Sequence, residues 1–350
     1  MFVTLEQTDA AELHQFRDPA TGLRALIALH SSRLGPALGG CRCLPYPDEH
    51  TALNDVCRLA RGMSYKAALA GLPLGGGKAV IMEPDKPYDR AALYRAFGDA
   101  VNRLGGRYIT AMDAGTEITD LDQVATRTRH VWGFSGDGMD PSPYTALGVF
   151  AALDAGIRHR FQRHGAKGLH IAIQGLGHVG SQLALMLARA GARLTLADLD
   201  PRRAQRLADR LNTRWVPADS LYDVACDIFM PCALGGVLNA DTIPRLHAAL
   251  IVGAANNQLA SDDDAQRLRQ RDILYTPDYL NNAGGLISLA LGHRHEDRST
   301  IRQKVLGIGR TLSQLLDQAD QHHLSPAQMA DRQAEQRLHD DTGKHAWEAA

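Results

Sequence analysis

The sequence predicts an α/β protein of two domains, an N-terminal α/β domain followed by a doubly wound parallel sheet. Three observations carry this. The 350 residues suffice for two domains of ordinary size, and a 45% apolar content can fill both cores. Beyond about residue 145, short apolar runs alternate with amphipathic stretches, which is the sequence form of repeated βα units. Gln174-Gly175-Leu176-Gly177-His178-Val179-Gly180 falls at one of these strand-to-helix junctions, which makes the second domain Rossmann-type.

The elements follow in order. Leu23 to His30 reads as a strand. From Thr51, the spacing of Leu53, Val56, Ala60 and Met63 puts them on one helical face, in a helix ending near Lys66. Gly71-Leu72-Pro73-Leu74-Gly75-Gly76-Gly77 reads as a glycine-rich loop, with Lys78 to Met82 as the strand that leaves it. Tyr88 to Leu104 is an amphipathic helix stopped by Gly105-Gly106, and Tyr108 to Ala111 is a strand with Asp113 just past its end. The turn-rich stretch from Ser135 to Pro143 marks a domain boundary. Thr145 to Arg158 is then a helix, Leu169 to Gln174 a strand, Val179 to Ala190 a helix and Arg193 to Ala197 a strand ending at Asp198. Further strands are expected at Asp227 to Met230, Leu250 to Gly253 and Ile273 to Tyr275, and a helical stretch from Ile301 to Leu338. The last residues, Asp340 to Ala350, read as frayed. Residues 1–140 form one expected domain, rejoined by a C-terminal helix at about 326–345, and 141–325 form the other.

Composition excludes several functions. A formal net charge of −1 gives no field to recruit nucleic acid or an anionic membrane, and 5% aromatics offers few platforms for base stacking. No apolar run is long enough to span a bilayer, and Met1 to Asp18 lacks the pattern of a signal peptide. The five cysteines are odd in number and form no C-x-x-C pair, so reduced thiols in a cytoplasmic protein are expected. Cys41 and Cys43 read as packing residues. His293-Arg294-His295-Glu296 reads as a solvated helix end, so no metal is expected.

Gly175, Gly177 and Gly180 spell G-x-G-x-x-G. With 33 glycines in the chain such a match arises by chance in roughly a third of cases, so its context decides. That context is a strand, a tight turn and a helix whose N-terminus faces phosphates. Asp198, at the end of the next strand, can accept hydrogen bonds from the adenosine ribose and would repel a 2′-phosphate. NAD is therefore expected over NADP, although Arg202 and Arg203 stand nearby. The earlier glycine run is not a phosphate-binding P-loop: Leu72 and Ala79 occupy the positions that motif requires as Gly and Ser or Thr. Lys78, following three glycines, is instead read as accessible to a substrate. If Lys66 shares its pocket, each lysine disfavours the other's charge and one becomes usable as a base, with Asp113 as a third titrating group.

These residues together resemble the Glu/Leu/Phe/Val dehydrogenases, which are amino-acid dehydrogenases using NAD(P). The resemblance runs from about Leu23 to about Asp331. It rests on six blocks in the family's order: Gly35 to Arg42, Met63 to Ile81, Asp113 to Thr116, Gln174 to Gly180, Gly253 to Leu259, and Pro277 to Tyr279 with Asn282 to Gly285. It implies that the N-terminal domain binds substrate and carries the catalytic residues, with Lys66 on the substrate carboxylate and Lys78 and Asp113 as the catalytic pair. It further implies Gly39 and Gly40 flanking the substrate and Asn257 at the substrate and nicotinamide edge. The cofactor contacts implied are Thr145, Gln174, Gly175, Leu176, Gly177, His178, Val179, Gly180, Asp198 and Asn256. The implied reaction is reversible NAD-dependent oxidative deamination of an L-amino acid by a homo-oligomer, with no nucleic-acid or membrane partner. Glutamate-using members place a lysine where this chain has Leu38, so a γ-carboxylate would be buried unpaired at a cost of several kcal/mol. Leu38, Ala111, Leu286 and Leu289 then line an apolar side-chain pocket, which suits a branched-chain substrate. The two leucines stand where relatives often carry valine and narrow the pocket. The alternatives are an aromatic amino-acid dehydrogenase and a silent NAD-binding regulator on the same fold.

Overall fold

The computed structural model describes residues 9–340. The segments 1–8 and 341–350, and with them most of the expected frayed end and part of the N-terminal reading, lie outside the described residues. The described chain forms two compact units, one of residues 9–140, 292–295 and 333–340 and the other of 141–291 and 296–332.

The first unit contains β1 (Glu12–Asp18), β2 (Leu23–Ser31), β3 (Ala37–Leu44), α1 (Glu49–Leu69), β4 (Gly75–Met82), α2 (Arg90–Arg103), β5 (Tyr108–Met112) and α3 (Ile118–Ala125). Its mixed sheet has the order β1-β2-β4-β3-β5. β2 runs antiparallel to both β1 and β4, and β3 runs parallel to β4 and β5. One sheet face buries Ile27, Ile81 and Tyr108 with Tyr94 and Phe97 of α2. The other buries Ala28 and Val80 with Val56 and Ala60 of α1. Capping fixes where both helices start: Asp48 accepts the Thr51 N–H at 2.7 Å and Asp89 the Ala92 N–H at 3.0 Å.

The second unit contains α4 (Ser142–Phe161), β6 (His170–Gln174), α5 (His178–Arg189), β7 (Arg193–Ala197), α6 (Pro201–Leu211), β8 (Arg214–Trp215), β9 (Ile228–Pro231), β10 (Leu250–Ile251), α7 (Asp263–Gln270), β11 (Leu274–Tyr275) and α8 (Asp278–Asn281). Then come α9 (Gly284–His293) and α10 (Arg298–Gln321), followed by α11 (Pro326–Asp340). Six strands pair in parallel in the order β11-β10-β9-β6-β7-β8. The chain leaves β6 towards β7 and β8 on one side and returns on the other through β9 to β11. The carboxyl end of β6, where the glycine turn begins, is therefore the switch point of the sheet, the place where such folds bind ligands.

Two expectations need correction. The stretch read as a glycine-rich loop is not a loop at its glycine run, because Gly75, Gly76 and Gly77 are the first three residues of β4 and are fully buried. They are small because other backbone crowds them: a side chain at Gly75 would collide with the Ser31 carbonyl, and one at Gly76 with the backbone of Ser64 on α1. At Gly77 it would press on the Tyr108 ring. Glycine's low strand propensity loses here to close packing. The helical stretch from Ile301 to Leu338 is also two helices. Its break precedes Pro326, which cannot continue α10, and His323 adopts a φ of 56° within it.

Candidate functional site

In the first unit, strand register gathers the predicted residues on one sheet face. Leu38 pairs with Gly76 on β4 and Ile109 on β5, and Gly40 pairs with Ala111. Side chains of cross-strand partners share a face, so Leu38, Gly40 and Ala111 lie together. Lys78, two residues beyond Gly76, joins them. Leu38 is 2% exposed and Ala111 6%. Lys78 is buried too, at 5%, which corrects its reading as an accessible lysine. Its ammonium forms an ion pair with Asp113.

Asp113 is fixed from several directions. Its Oδ1 accepts the Ala114 N–H at 2.7 Å, and its own N–H donates to the Thr116 hydroxyl at 2.9 Å. Its Oδ2 faces Lys78 and also lies 3.6 Å from Nε of Arg42. Burial pushes the carboxyl pKa up, but Lys78 and then Arg42 outweigh it and bring the value down to about 2. The absence of a side chain at Gly40 makes room for this arrangement, since a Cβ there would stand 2.8 Å from Cβ of Asp113. Lys66 is half-buried in the last turn of α1, the helix that packs on β4.

Arg42, Asp55, Tyr46 and Thr116 escaped the sequence reading as site residues. Arg42 Nη1 donates to Asp55 at 3.0 and 3.3 Å, and the Tyr46 hydroxyl donates to the same carboxylate at 2.5 Å. Arg42 lies within one of the family blocks, yet nothing in the local sequence signals its partners on α1 and beyond β5.

In the second unit the glycine turn has the geometry its spacing predicts. Gly175 adopts a φ of 91°, and a side chain there would press on Ala233 at 2.8 Å. A side chain at Gly180 would strike the Gly175 carbonyl. Gly177 is exposed, with no atom within 4 Å of where its Cβ would stand, so a ligand's phosphates can approach the start of α5 closely. His178 is exposed beside it and Val179 half-buried. Asp198 Oδ2 accepts the Leu176 N–H at 2.7 Å, Oδ1 accepts the Asp200 N–H at 2.9 Å, and Arg203 lies 3.4 Å away. The Leu176 side chain is buried, and Gln174 turns inward, donating to the Tyr222 hydroxyl at 2.7 Å.

The remaining predicted residues sit elsewhere in this unit. Asn256 is exposed and accepts from Asn282 at 2.8 Å, while Asn257 is half-buried in a left-handed conformation with φ 51°. Thr145, near the start of α4, donates to the Pro141 carbonyl at 3.1 Å. Gly285 leaves space for that hydroxyl, for a Cβ there would lie 2.6 Å from it. Leu286 is buried and Leu289 half-buried, one helical turn apart on α9. A cavity of about 320 Å³ between the C-terminal ends of α4 and α10 and strand β11 is lined by none of these residues. All five cysteines are free, and burial pushes the Cys41 and Cys43 thiols up, away from reactive thiolates. Among the described residues no helix is long and apolar enough to cross a membrane.

Comparison with known proteins adds the following. Residues 11–130 match the family model for the Glu/Leu/Phe/Val dehydrogenase, dimerisation domain, and residues 196–304 match that for Glutamate/Leucine/Phenylalanine/Valine dehydrogenase. Leucine dehydrogenase of Thermoactinomyces intermedius is 40% identical over 341 residues, covering 97% of this chain and 93% of that protein. Phenylalanine dehydrogenase of Caldalkalibacillus thermarum is 39% identical over 346 residues, covering 96% and 93%. The crystal structure of L-tryptophan dehydrogenase from Nostoc punctiforme aligns with a TM-score of 0.82 at 37% identity, covering 97% of this chain and 99% of that one.

Proposed function

Since the chain belongs to the Glu/Leu/Phe/Val dehydrogenase family and is an amino-acid dehydrogenase with a nicotinamide cofactor, we propose that it oxidatively deaminates an apolar branched-chain L-amino acid with NAD. The observation that carries this reading is the Lys78–Asp113 ion pair on the same buried sheet face as Leu38 and Ala111. That face offers apolar surface to a substrate side chain and no cation at Leu38 for a γ-carboxylate.

In this mechanism Lys66 holds the substrate carboxylate and so orients Cα beside the backbone of Gly39 and Gly40, and Asn257 is assigned a substrate contact of its own. The Gly175–Gly180 turn, Asp198, Thr145 and Asn256 would hold the nicotinamide cofactor, which would supply a hydride acceptor for the Cα hydrogen. Water then adds to the resulting imine carbon. Lys78 removes the water proton as general base, while Asp113 passes protons to the departing nitrogen until ammonia and the 2-oxo acid separate. The exposed Gly177 and the start of α5 support a dinucleotide, and the Asp198 carboxylate supports NAD over NADP. Leu286 and Leu289, one turn apart on α9, are further apolar residues that we assign to the substrate side chain. The description of the N-terminal family model as a dimerisation domain supports a homo-oligomer, and five free thiols support a cytoplasmic protein.

Relatives named for phenylalanine and tryptophan favour an aromatic substrate as the second reading. The test is NADH formation by the purified chain with leucine, isoleucine, valine, phenylalanine, tryptophan and glutamate, repeated with NADP. Highest kcat/KM with leucine or valine and none with glutamate is expected. Because one methylene is worth only about 1–3 kcal/mol, activity should spread over the branched-chain set. A clear preference for phenylalanine or tryptophan would replace the branched-chain reading with the aromatic one.

A further inference from the structure

Asp113 has two cations beside it, and the proposed chemistry occupies only one. Arg42 comes from β3 and Lys78 from the neighbouring β4, and both approach Oδ2 of Asp113. The Arg42 side chain is 17% exposed and that of Asp113 13%, so solvent screens their attraction only weakly. Arg42 Nε is buried without a hydrogen-bond partner, and it faces Asp113 Oδ2, the oxygen that also meets Lys78, at 3.6 Å. That gap exceeds a hydrogen bond by a few tenths of an ångström. Catalytic hydrogen bonds are commonly long before substrate binds and tighten in the complex.

Arg42 is itself held in place. Two contacts to Asp55 on α1 and the Tyr46 hydroxyl on that same carboxylate fix the far end of the guanidinium, leaving Nε directed at Asp113. Lys78, Arg42, Asp113 and Asp55 together carry no net charge. If Lys78 gives up its proton to act as a base, Arg42 is the cation that remains on Asp113.

We propose that Arg42, braced by Asp55 and Tyr46, is a positioning residue that serves as the second counter-ion of Asp113 and holds its carboxylate in register with Lys78. The proposal rests on the reading of Lys78 and Asp113 as the reacting pair. The charged and titratable groups facing Asp113 are Lys78 on β4, Arg42 and the Cys41 thiol on β3, and the Tyr108 phenol on β5. Arg42 is the only one besides Lys78 that lowers its proton affinity. Removing Arg42 therefore raises the carboxyl pKa, and the ionised form is lost at a higher pH as pH falls.

The test is carbon NMR titration of the Asp113 carboxyl in full-length wild type, Arg42→Met and Arg42→Lys, with kcat and KM measured beside it with NAD and the best substrate of the panel. Arg42→Met should raise the titration midpoint by about 1–3 units, the effect of losing an opposite charge at this range, and lower kcat with little change in substrate KM. Arg42→Lys should restore most of the midpoint. If Arg42→Met does not fold, Arg42→Gln, which keeps a donor for Asp55, is read in the same way. A folded Met or Gln variant with the wild-type midpoint overturns the proposal, even if kcat falls. If the wild type turns over no amino acid, the mechanism above has failed instead, and the midpoint alone decides the Arg42 assignment.

Discussion

Replacing Gly40 by alanine should disable the reacting pair while leaving the sheet intact. A Cβ at this position would lie 2.5 Å from the Met112 carbonyl oxygen and 2.8 Å from Cβ of Asp113. Ordinary contact begins at 3.4 Å, so Asp113 must retreat by about 0.6 Å and the Met112 carbonyl further. Neither obstacle is the tip of a flexible side chain. Both belong to the end of β5, and Asp113 is anchored there through Ala114 and Thr116. A displacement of about 1 Å at a catalytic group can cost roughly 10²-fold, so kcat should fall by about 10- to 100-fold. Overpacking of this kind costs about 1–3 kcal/mol of stability, which a two-domain enzyme should survive. The assay is steady-state NADH formation, with thermal melting and NAD affinity as controls for folding. A folded Gly40→Ala protein with wild-type kcat would show that Asp113 need not occupy this place, and the assignment of the pair would fail with it.

Two further substitutions probe the site from other sides. Lys78→Ala should lower turnover by about 10²- to 10⁴-fold, the usual worth of a general base, while isothermal titration finds NAD affinity nearly unchanged; full activity would refute the mechanism. It should also lower the melting temperature, because Asp113 keeps Arg42 as its one close cation. Gly285→Ala crowds the Thr145 hydroxyl and should raise the KM for NAD several-fold with little effect on the apparent KM for the amino acid, as initial-rate kinetics at varied NAD would reveal.

The second unit was the more legible of the two in sequence. The Gly175, Gly177 and Gly180 turn has local causes: each glycine answers to a neighbour a few residues away or to an expected ligand, and Asp198 closes the same βα unit. β6, α5 and β7 emerged within a residue or two of their expected bounds. The first unit hid more. β1 is an edge strand with Glu12, His14 and Arg17 in its run, so alternation is blurred. β3 carries two glycines and Arg42, and read as one of the family's blocks rather than as a strand. The glycines of β4 report contacts with Ser31, Ser64 and Tyr108, which only the folded sheet supplies. Arg42 was missed for the same reason: its partners Asp55 and Asp113 are distant in sequence, and only β3 register and the packing of α1 bring them together.

The Asp198 carboxylate, 8% exposed, accepts from the amides of both Leu176 and Asp200. The residue that would meet the ribose therefore also ties the glycine turn to the end of β7. For cofactor redesign this makes the choice of replacement matter more than the loss of charge alone. Alanine would relieve repulsion of a 2′-phosphate but leave the Leu176 N–H without its acceptor, so the turn itself would loosen. Asparagine sheds the charge and keeps an oxygen for that amide, and Arg203, already 3.4 Å away and half exposed, stands ready to receive the phosphate. On the reading of an NAD site, a shift towards NADP would run through an isosteric exchange at one position, with the positive partner already in place.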